Sequence, residues 1–259
     1  MTITDVWFDG WITPLTALGI VAAGAGAGTV NAVVGSGTLI SFPMLLAAGY
    51  TPVVANVTNT LGLVPGSASG AYGYRRELAG QGAKVRRLAL ASTLGGVTGA
   101  VLLLTLPSSV FEHVIPVLIL LACLLVAIQP RLRAHLAARG HTGGRTLWLG
   151  VYATGIYGGY FGAGQGIVLM ALLSIFDEDD LQRHNAVKNV LAGLVNGVAA
   201  LWFIAFGHIV YGAAALVAVG SVVGGQIGAR YGRRLDPARL RVIIIVVGVV
   251  VATKLVVWP

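Results

Sequence analysis

The sequence predicts an all-α polytopic membrane protein made of two inverted repeats of about five helical segments each. That gives about 8–10 membrane segments, two of them short or re-entrant. Three observations predict it. The first is composition: 56% of the 259 residues are hydrophobic and only 10% are charged, with mean hydropathy +0.85. A soluble domain carries roughly 25% charged residues, so this chain lacks the charge to solvate a globular surface. A soluble enzyme, a disordered chain and a disulfide-stapled secreted domain are thereby excluded. The second is that apolar residues run continuously instead of alternating, which selects helices over a barrel. The third is that the two halves repeat each other.

Five apolar segments precede residue 130, at 12–33, 37–49, 52–74, 85–106 and 109–128. Five more follow residue 145, at 146–161, 164–176, 184–206, 209–229 and 238–258. Crossing ~30 Å of hydrocarbon takes about 20 residues. Most segments are long enough. The second of each set, 37–49 and 164–176, reaches only about 20 Å and cannot cross. Each short segment follows a glycine-rich break, Val34-Gly35-Ser36-Gly37 or Phe161-Gly162-Ala163-Gly164-Gln165-Gly166. The expected organisation is a first repeat over 12–130, a cytoplasmic linker over 131–145 and a second, inverted repeat over 146–258.

The repeat is legible as three blocks in the same order at an offset of 127–130. Gly35-Ser36-Gly37 aligns with Gly162-Ala163-Gly164, Val57-Thr58-Asn59 with Val187-Lys188-Asn189, and Gly95–Ala100 with Gly224–Ala229. Positive-inside bias sets the orientation. Arg75, Arg76, Lys84, Arg86 and Arg87 follow the third segment, Arg131, Arg133, Arg139 and Arg145 fill the linker, and Arg230, Arg233, Arg234, Arg239 and Arg241 precede the last segment. These three regions are expected in the cytoplasm. The turn at Gly207–His208 has no Lys or Arg and is expected outside, although its repeat mate is the basic loop after the third segment. The repeats are therefore inverted, and both termini fall outside, with Asp5, Asp9 and Trp258. The net charge of +8 describes orientation and lipid-headgroup anchoring, and no nucleic acid is expected as a partner. The acidic run Asp177–Asp180 reads as a solvated turn before a helix N-terminus.

Broken helices in inverted repeats are the architecture of secondary transporters, with substrate held where the halves meet. Glycine breaks expose backbone N–H groups and helix N-termini, which cradle anions. Gly35, Gly37, Gly162 and Gly164 are candidates for that role, whereas Gly95/Gly99 and Gly220/Gly224/Gly228 have the spacing of helix-packing glycines. Lys188 is a basic residue inside an apolar segment, about 9 Å along its helix. An ammonium there needs an anion or a wet cavity, or must snorkel to the headgroups. Asn185, Asn189 and Asn196 form one helical stripe, and Asn56, Asn59 and Thr60 a similar patch on the mate. Asn31, Ser36 and Gln165 beside the breaks complete a polar ring suited to an oxyanion. Thr58, Asn59 and Asn189 join it by repeat symmetry.

No intramembrane Asp or Glu is apparent, since Glu112 belongs to the outer loop around Thr105–Glu112, and the five histidines are scattered at loops and ends. Neither a metal site nor a cofactor is expected. His184, one turn from Lys188, is the best placed titrating group, and protons are the candidate coupling ion. Cys123 stands alone, which excludes an intrachain disulfide. An integral membrane enzyme would need a convergent acid, base or metal set, and the sequence offers none.

The stretches Asn31-Ala-Val-Val-Gly-Ser-Gly-Thr38-Leu-Ile-Ser-Phe-Pro43, Ala55-Asn-Val-Thr-Asn-Thr60, Tyr74-Arg-Arg76, Phe161-Gly-Ala-Gly-Gln165 and Asn185-Ala-Val-Lys-Asn189 together resemble the TauE/SafE family of sulfite exporters. The resemblance spans residues 15–257. It implies export of a small sulfur-containing anion, such as sulfite or sulfoacetate, across a bacterial inner membrane by alternating access. It points to Ser36, Thr58, Asn59, Gln165, Lys188 and Asn189. The alternatives left open are a passive anion channel and a carrier of a small carboxylate.

Overall fold

The computed structural model describes residues 12–136, 144–177, 179–232 and 237–257. Asp5, Asp9, Arg139, Glu178, Arg233, Arg234 and Trp258, used above to read topology, lie outside the described residues. The chain is helical throughout the described residues, in the order α1 (Pro14–Val33), α2 (Thr38–Ala47), α3 (Pro52–Gly73), α4 (Gly82–Thr105), α5 (Ser108–Leu136), α6 (Gly144–Tyr160), α7 (Gln165–Phe176), α8 (Leu181–Phe206), α9 (Tyr211–Tyr231) and α10 (Pro237–Val257).

Local chemistry sets the helix starts. Thr13 caps α1, its Oγ1 accepting the Thr16 N–H at 3.1 Å, and Pro14 occupies a first-turn position that needs no N–H. Asp180 caps α8 by accepting from Gln182 N and Arg183 N at 2.8 and 3.0 Å. Two helices run beyond their apolar stretches. α4 starts at Gly82 and carries Lys84, Arg86 and Arg87, and α5 continues past residue 128 to Leu136. Charged side chains do not end a helix outside the hydrocarbon, because the backbone ladder is satisfied within the segment.

Five helical stretches among the described residues are long and apolar enough to cross a membrane: α1, α4, residues Ser108–Ile128 of α5, α8 and α9. The short helices α2 and α7 have 10 and 12 residues, about 15 and 18 Å of rise. They fall short of a full crossing, as the sequence predicts. α3 is long enough at 22 residues but buries Asn56, Thr58, Asn59, Thr60 and Ser67, a polar load that belongs inside a bundle.

Close helix packing links the halves rather than separating them. α9 packs along α1 and α3, and α4 packs along α6 and α8. Glycines make both main contacts. A Cβ on Gly95 would lie 2.3 Å from the Tyr152 carbonyl oxygen, and one on Gly224 would lie 2.0 Å from that of Ala25. Gly99 faces Ile156 O and Gly228 faces Thr29 O in the same way, at 2.1 and 2.7 Å. The packing-glycine reading of these residues holds. The positions correspond between the two halves, and the fourth helix of each half lies on the first helix of the other. α3 and α8 cross antiparallel. Tyr74 packs with Ala186, Asn196 Nδ2 donates to Ser67 Oγ at 3.4 Å, and the Val210 N–H donates to Thr58 Oγ1 at 3.2 Å. The α3–α4 connection and the α8–α9 connection therefore lie at opposite ends of this pair.

Candidate functional site at the paired helix breaks

α1 and α6 end by the same chain reversal. The Val34 and Gly35 N–H groups both donate to Val30 O, at 2.7 and 3.0 Å, and the Phe161 and Gly162 N–H groups both donate to Tyr157 O, at 2.9 and 3.1 Å. Gly35 and Gly162 then adopt φ of +88° and +81°, a region that L side chains rarely enter. The two breaks also touch. Gly166 N–H donates to Gly35 O at 3.1 Å, and a Cβ on Gly35 would sit 2.4 Å from Gly166 Cα. Backbone meets backbone here, so neither residue can carry a side chain without moving a helix end.

The last carbonyls of α1 would be orphans at a buried helix end. Three side chains of α8 take them. Asn185 Nδ2, Lys188 Nζ and Asn189 Nδ2 donate to Ala32 O at 3.0, 3.2 and 3.3 Å, and Lys188 Nζ donates to Asn31 O at 2.9 Å. Lys188 is 0% exposed, so the snorkelling alternative is overturned. The ammonium turns inward because the negative end of the α1 dipole lies beside it, a favourable seat for a cation. At the second break α3 supplies the corresponding support. Asn56 Nδ2 donates to Tyr160 O at 2.9 Å, while Tyr157 Oη donates to Ala163 O. Edge-on contacts between Phe42 and Phe161, and between Phe111 and both Tyr160 and Phe161, wall this break.

Of the expected residues, Asn31, Gly35, Ser36, Lys188 and Asn189 gather at the first break, and Gly162, Gly164 and Gln165 form the second. Gly37 is the N-cap of α2 and packs on Ala27. Asn59 lies further along, donating to Thr38 Oγ1 at 3.5 Å and accepting from Ser41 Oγ on α2. Thr58 is elsewhere, holding the N-terminus of α9 through Val210. The sequence put Asn56 and Asn185 in amide stripes and left them out of the site, yet each holds a break directly. The signal was their matched position in α3 and α8. Nothing in the sequence marked Tyr157 or Ser41.

Four buried polar atoms around this junction have no hydrogen-bond partner within the protein: Ser36 Oγ, Gln165 Nε2, Asn56 Oδ1 and Asn185 Oδ1. Leaving such a group unmade costs about 1–3 kcal/mol. Ser36 and Gln165 each sit one residue from the Gly35–Gly166 contact. Both offer donors, and both adjoin the N-terminus of a short helix. Lys188 Cδ lies 3.1 Å from the position of a Cβ on Gly166, so its stem borders the same spot.

A second polar cluster lies at the N-terminal end of α8. Lys84 bonds Asp177 and Asp179, Arg183 Nε meets Asp179 Oδ1 at 2.7 Å, and His184 Nε2 meets Asp177 Oδ2 at 3.0 Å. Gln81 Nε2 donates to Arg183 O at 3.3 Å. The acidic run is thus an ion-pair network and not a merely solvated turn. The hydrogen bond from Lys84 holds the Asp179 carboxyl below its ordinary value, against an opposing effect of burial. Among the described residues, no group of three or more His, Cys, Asp and Glu could hold a metal ion.

A family model described as Sulfite exporter TauE/SafE matches residues 20–255. The probable membrane transporter protein YfcA of Escherichia coli (strain K12) is 26% identical over 230 residues, covering 88% of this chain and 85% of that protein. The probable membrane transporter protein ORF9 of Sinorhizobium sp is 26% identical over 237 residues, covering 90% and 89%. A probable membrane transporter protein of Haemophilus influenzae is 24% identical over 233 residues, covering 88% and 89%. No solved structure matches significantly.

Proposed function

The chain belongs to the sulfite exporter TauE/SafE family and is a multi-pass membrane transporter, and on that premise we propose that its cargo is a small sulfur oxyanion held between the two helix breaks. The observation that carries this is the meeting of Gly35 with Gly166, flanked by the unpartnered donors of Ser36 and Gln165 and by the buried Lys188. A sulfur oxyanion accepts hydrogen bonds at several oxygens and bears charge. Two helix N-termini, a hydroxyl, an amide and an adjacent ammonium meet those needs. Such a site needs no bond chemistry, which supports a carrier over an enzyme.

The helix packing supports movement of two bodies, one of α1, α3 and α9 and the other of α4, α6 and α8. Each is drawn from both halves of the sequence. The first break continues α1 and the second continues α6, so rocking along the α3–α8 crossing would part Gly35 from Gly166. This is alternating access about a fixed site, with the antiparallel crossing and matched glycine contacts supporting an inverted repeat. The direction is export across a bacterial inner membrane, with both termini outside and the arginine-rich connections in the cytoplasm.

A thermal-shift series in detergent tests the cargo, using sulfite, sulfate, sulfoacetate and acetate. A ligand raises the melting temperature by mass action. Sulfite or sulfoacetate should raise it for the wild type, and less for the Ser36→Ala/Gln165→Leu variant. A shift with acetate alone would assign a carboxylate carrier. In proteoliposomes a carrier saturates and shows counterflow of labelled sulfite, and conductance without either would assign a channel.

A further inference from the structure

The ion-pair network at the start of α8 places a titratable pair one helical turn from Lys188. We propose that His184, held by Asp177, is a proton-binding site linked to the anion site, so that proton and anion bind together. The proposal rests on the anion site described above.

His184 is buried, and its Nε2 lies 3.0 Å from Asp177 Oδ2. The charged groups around it are Asp177 and Asp179 from the α7–α8 connection, Lys84 from α4, and Arg183 and Lys188 on α8 itself. Tyr74 at the end of α3 packs nearby against Ala186. Asp180 is engaged with the first N–H groups of the helix. With His184 neutral, the cations Lys84 and Arg183 balance the carboxylates of Asp177 and Asp179. A proton on His184 therefore adds a net positive charge in a buried place. Asp177 favours that charge, and burial and Lys84 oppose it. Opposed influences of this kind suit a proton that must come and go.

The link to the anion follows from register. His184 and Lys188 stand four residues apart, about 6 Å along one face of α8. A protonated His184 is repelled by Lys188, and an anion held beside Lys188 relieves that repulsion. At such separations one unit charge alters proton affinity roughly tenfold, or about one pH unit. Linkage is reciprocal, so protonation tightens anion binding by the same factor. Proton and anion then cross together, so an outward anion gradient drives export and carries protons with it, while in vesicles an imposed pH gradient drives accumulation of the anion.

Histidine-labelled protein in detergent, read by NMR with His184→Gln to assign the signal, tests this directly. The ring should titrate with pH, as a histidine that binds and releases a proton does. Saturating sulfite or sulfoacetate should raise its midpoint by about one unit. In proteoliposomes, His184→Gln should keep sulfite counterflow but lose at least about tenfold of the accumulation driven by a pH gradient. A ring that does not titrate, or a midpoint unmoved by an anion that does raise the melting temperature, overturns the proton site and leaves the anion site standing. If neither anion raises the melting temperature, the anion site itself fails, and the linkage with it.

Discussion

The two helix breaks share their chain reversal but not their support. At the first, an ammonium and two amides from α8 converge on the Asn31 and Ala32 carbonyls. At the second, Asn56 alone reaches from α3 to the Tyr160 carbonyl, and aromatic rings fill the surroundings. The two breaks share the geometry that orients a short helix and differ in the chemistry that faces it. The difference teaches that the site is polarised. One break carries the positive charge, and the other carries shape and a neutral donor, Gln165. A symmetric site would grip an anion equally in either orientation, whereas on the proposed function these two breaks would distinguish the ends of the ligand.

The largest expected effect comes from the contact the breaks share. Gly166→Ala would drive a Cβ to 2.5 Å from Gly35 Cα and 3.0 Å from Gly35 O, so the two nearest contacts are backbone, with Lys188 Cδ next at 3.1 Å. It should destabilise the protein by about 3 kcal/mol, the upper part of the overpacking range. Gly197→Ala on α8 is the control, because nothing lies within 4 Å of a Cβ there. Melting temperatures in detergent separate the two. An unchanged Gly166→Ala protein would mean that the breaks do not touch.

Next in size is the charge that the second break lacks. Lys188→Met should weaken binding of a sulfur oxyanion by about 2 kcal/mol, roughly 30-fold. Its effect on folding should be smaller, because Asn185 and Asn189 still hold Ala32 O. Comparing the ligand-induced melting shift with the ligand-free melting temperature checks that split. Equal losses in both would make Lys188 a helix cap and nothing more.

The supporting amides give a finer contrast. Asn56→Ala removes the bond to Tyr160 O and should cost about 1 kcal/mol. Asn185→Ala should cost less than about 0.5 kcal/mol, because Ala32 O keeps two other donors. Each variant also deletes a buried oxygen without a partner, so that contribution cancels between them. Denaturation measured side by side tests the ranking, and a reversed order would say that the first break is the weaker one.

How far this was legible in the sequence differs by feature. The ten segments, the short helices and the symmetric breaks were readable, because apolar run length and glycine clusters are local signals. So was the anomaly of Lys188, because a lysine in an apolar run stands out on its own. What it touches was not. The carbonyls of Asn31 and Ala32 belong to every peptide and leave no trace in composition, so a cap could not be told from an anion ligand. The exchange of α4 and α9 between halves was hidden for a related reason. Gly95 and Gly224 announce close packing but not the partner. Thr58 was drawn into the site by alignment with Lys188, and the antiparallel crossing instead carries it to Val210.

The smallest effect concerns how each break's supporting helix is anchored. α8 begins at Asp180, whose carboxylate takes two N–H groups, beside the Lys84–Asp179–Arg183 ion pairs. α3 begins at Thr51 with no side-chain cap. Acid should therefore loosen the first break's support and spare the second's. Lys84 holds the Asp179 carboxyl below its ordinary value, so the folded state binds that proton more weakly than the unfolded chain. The stability Asp179 adds is fully present above the unfolded value. It is lost as pH falls from about 4 through the folded value. Between about pH 5 and 3 the melting temperature of the wild type should therefore fall faster than that of Asp179→Asn, which has no carboxyl to protonate there. Parallel curves would show that the network does not anchor α8. In that case the stronger support of the first break would rest on Lys188 and its neighbouring amides alone.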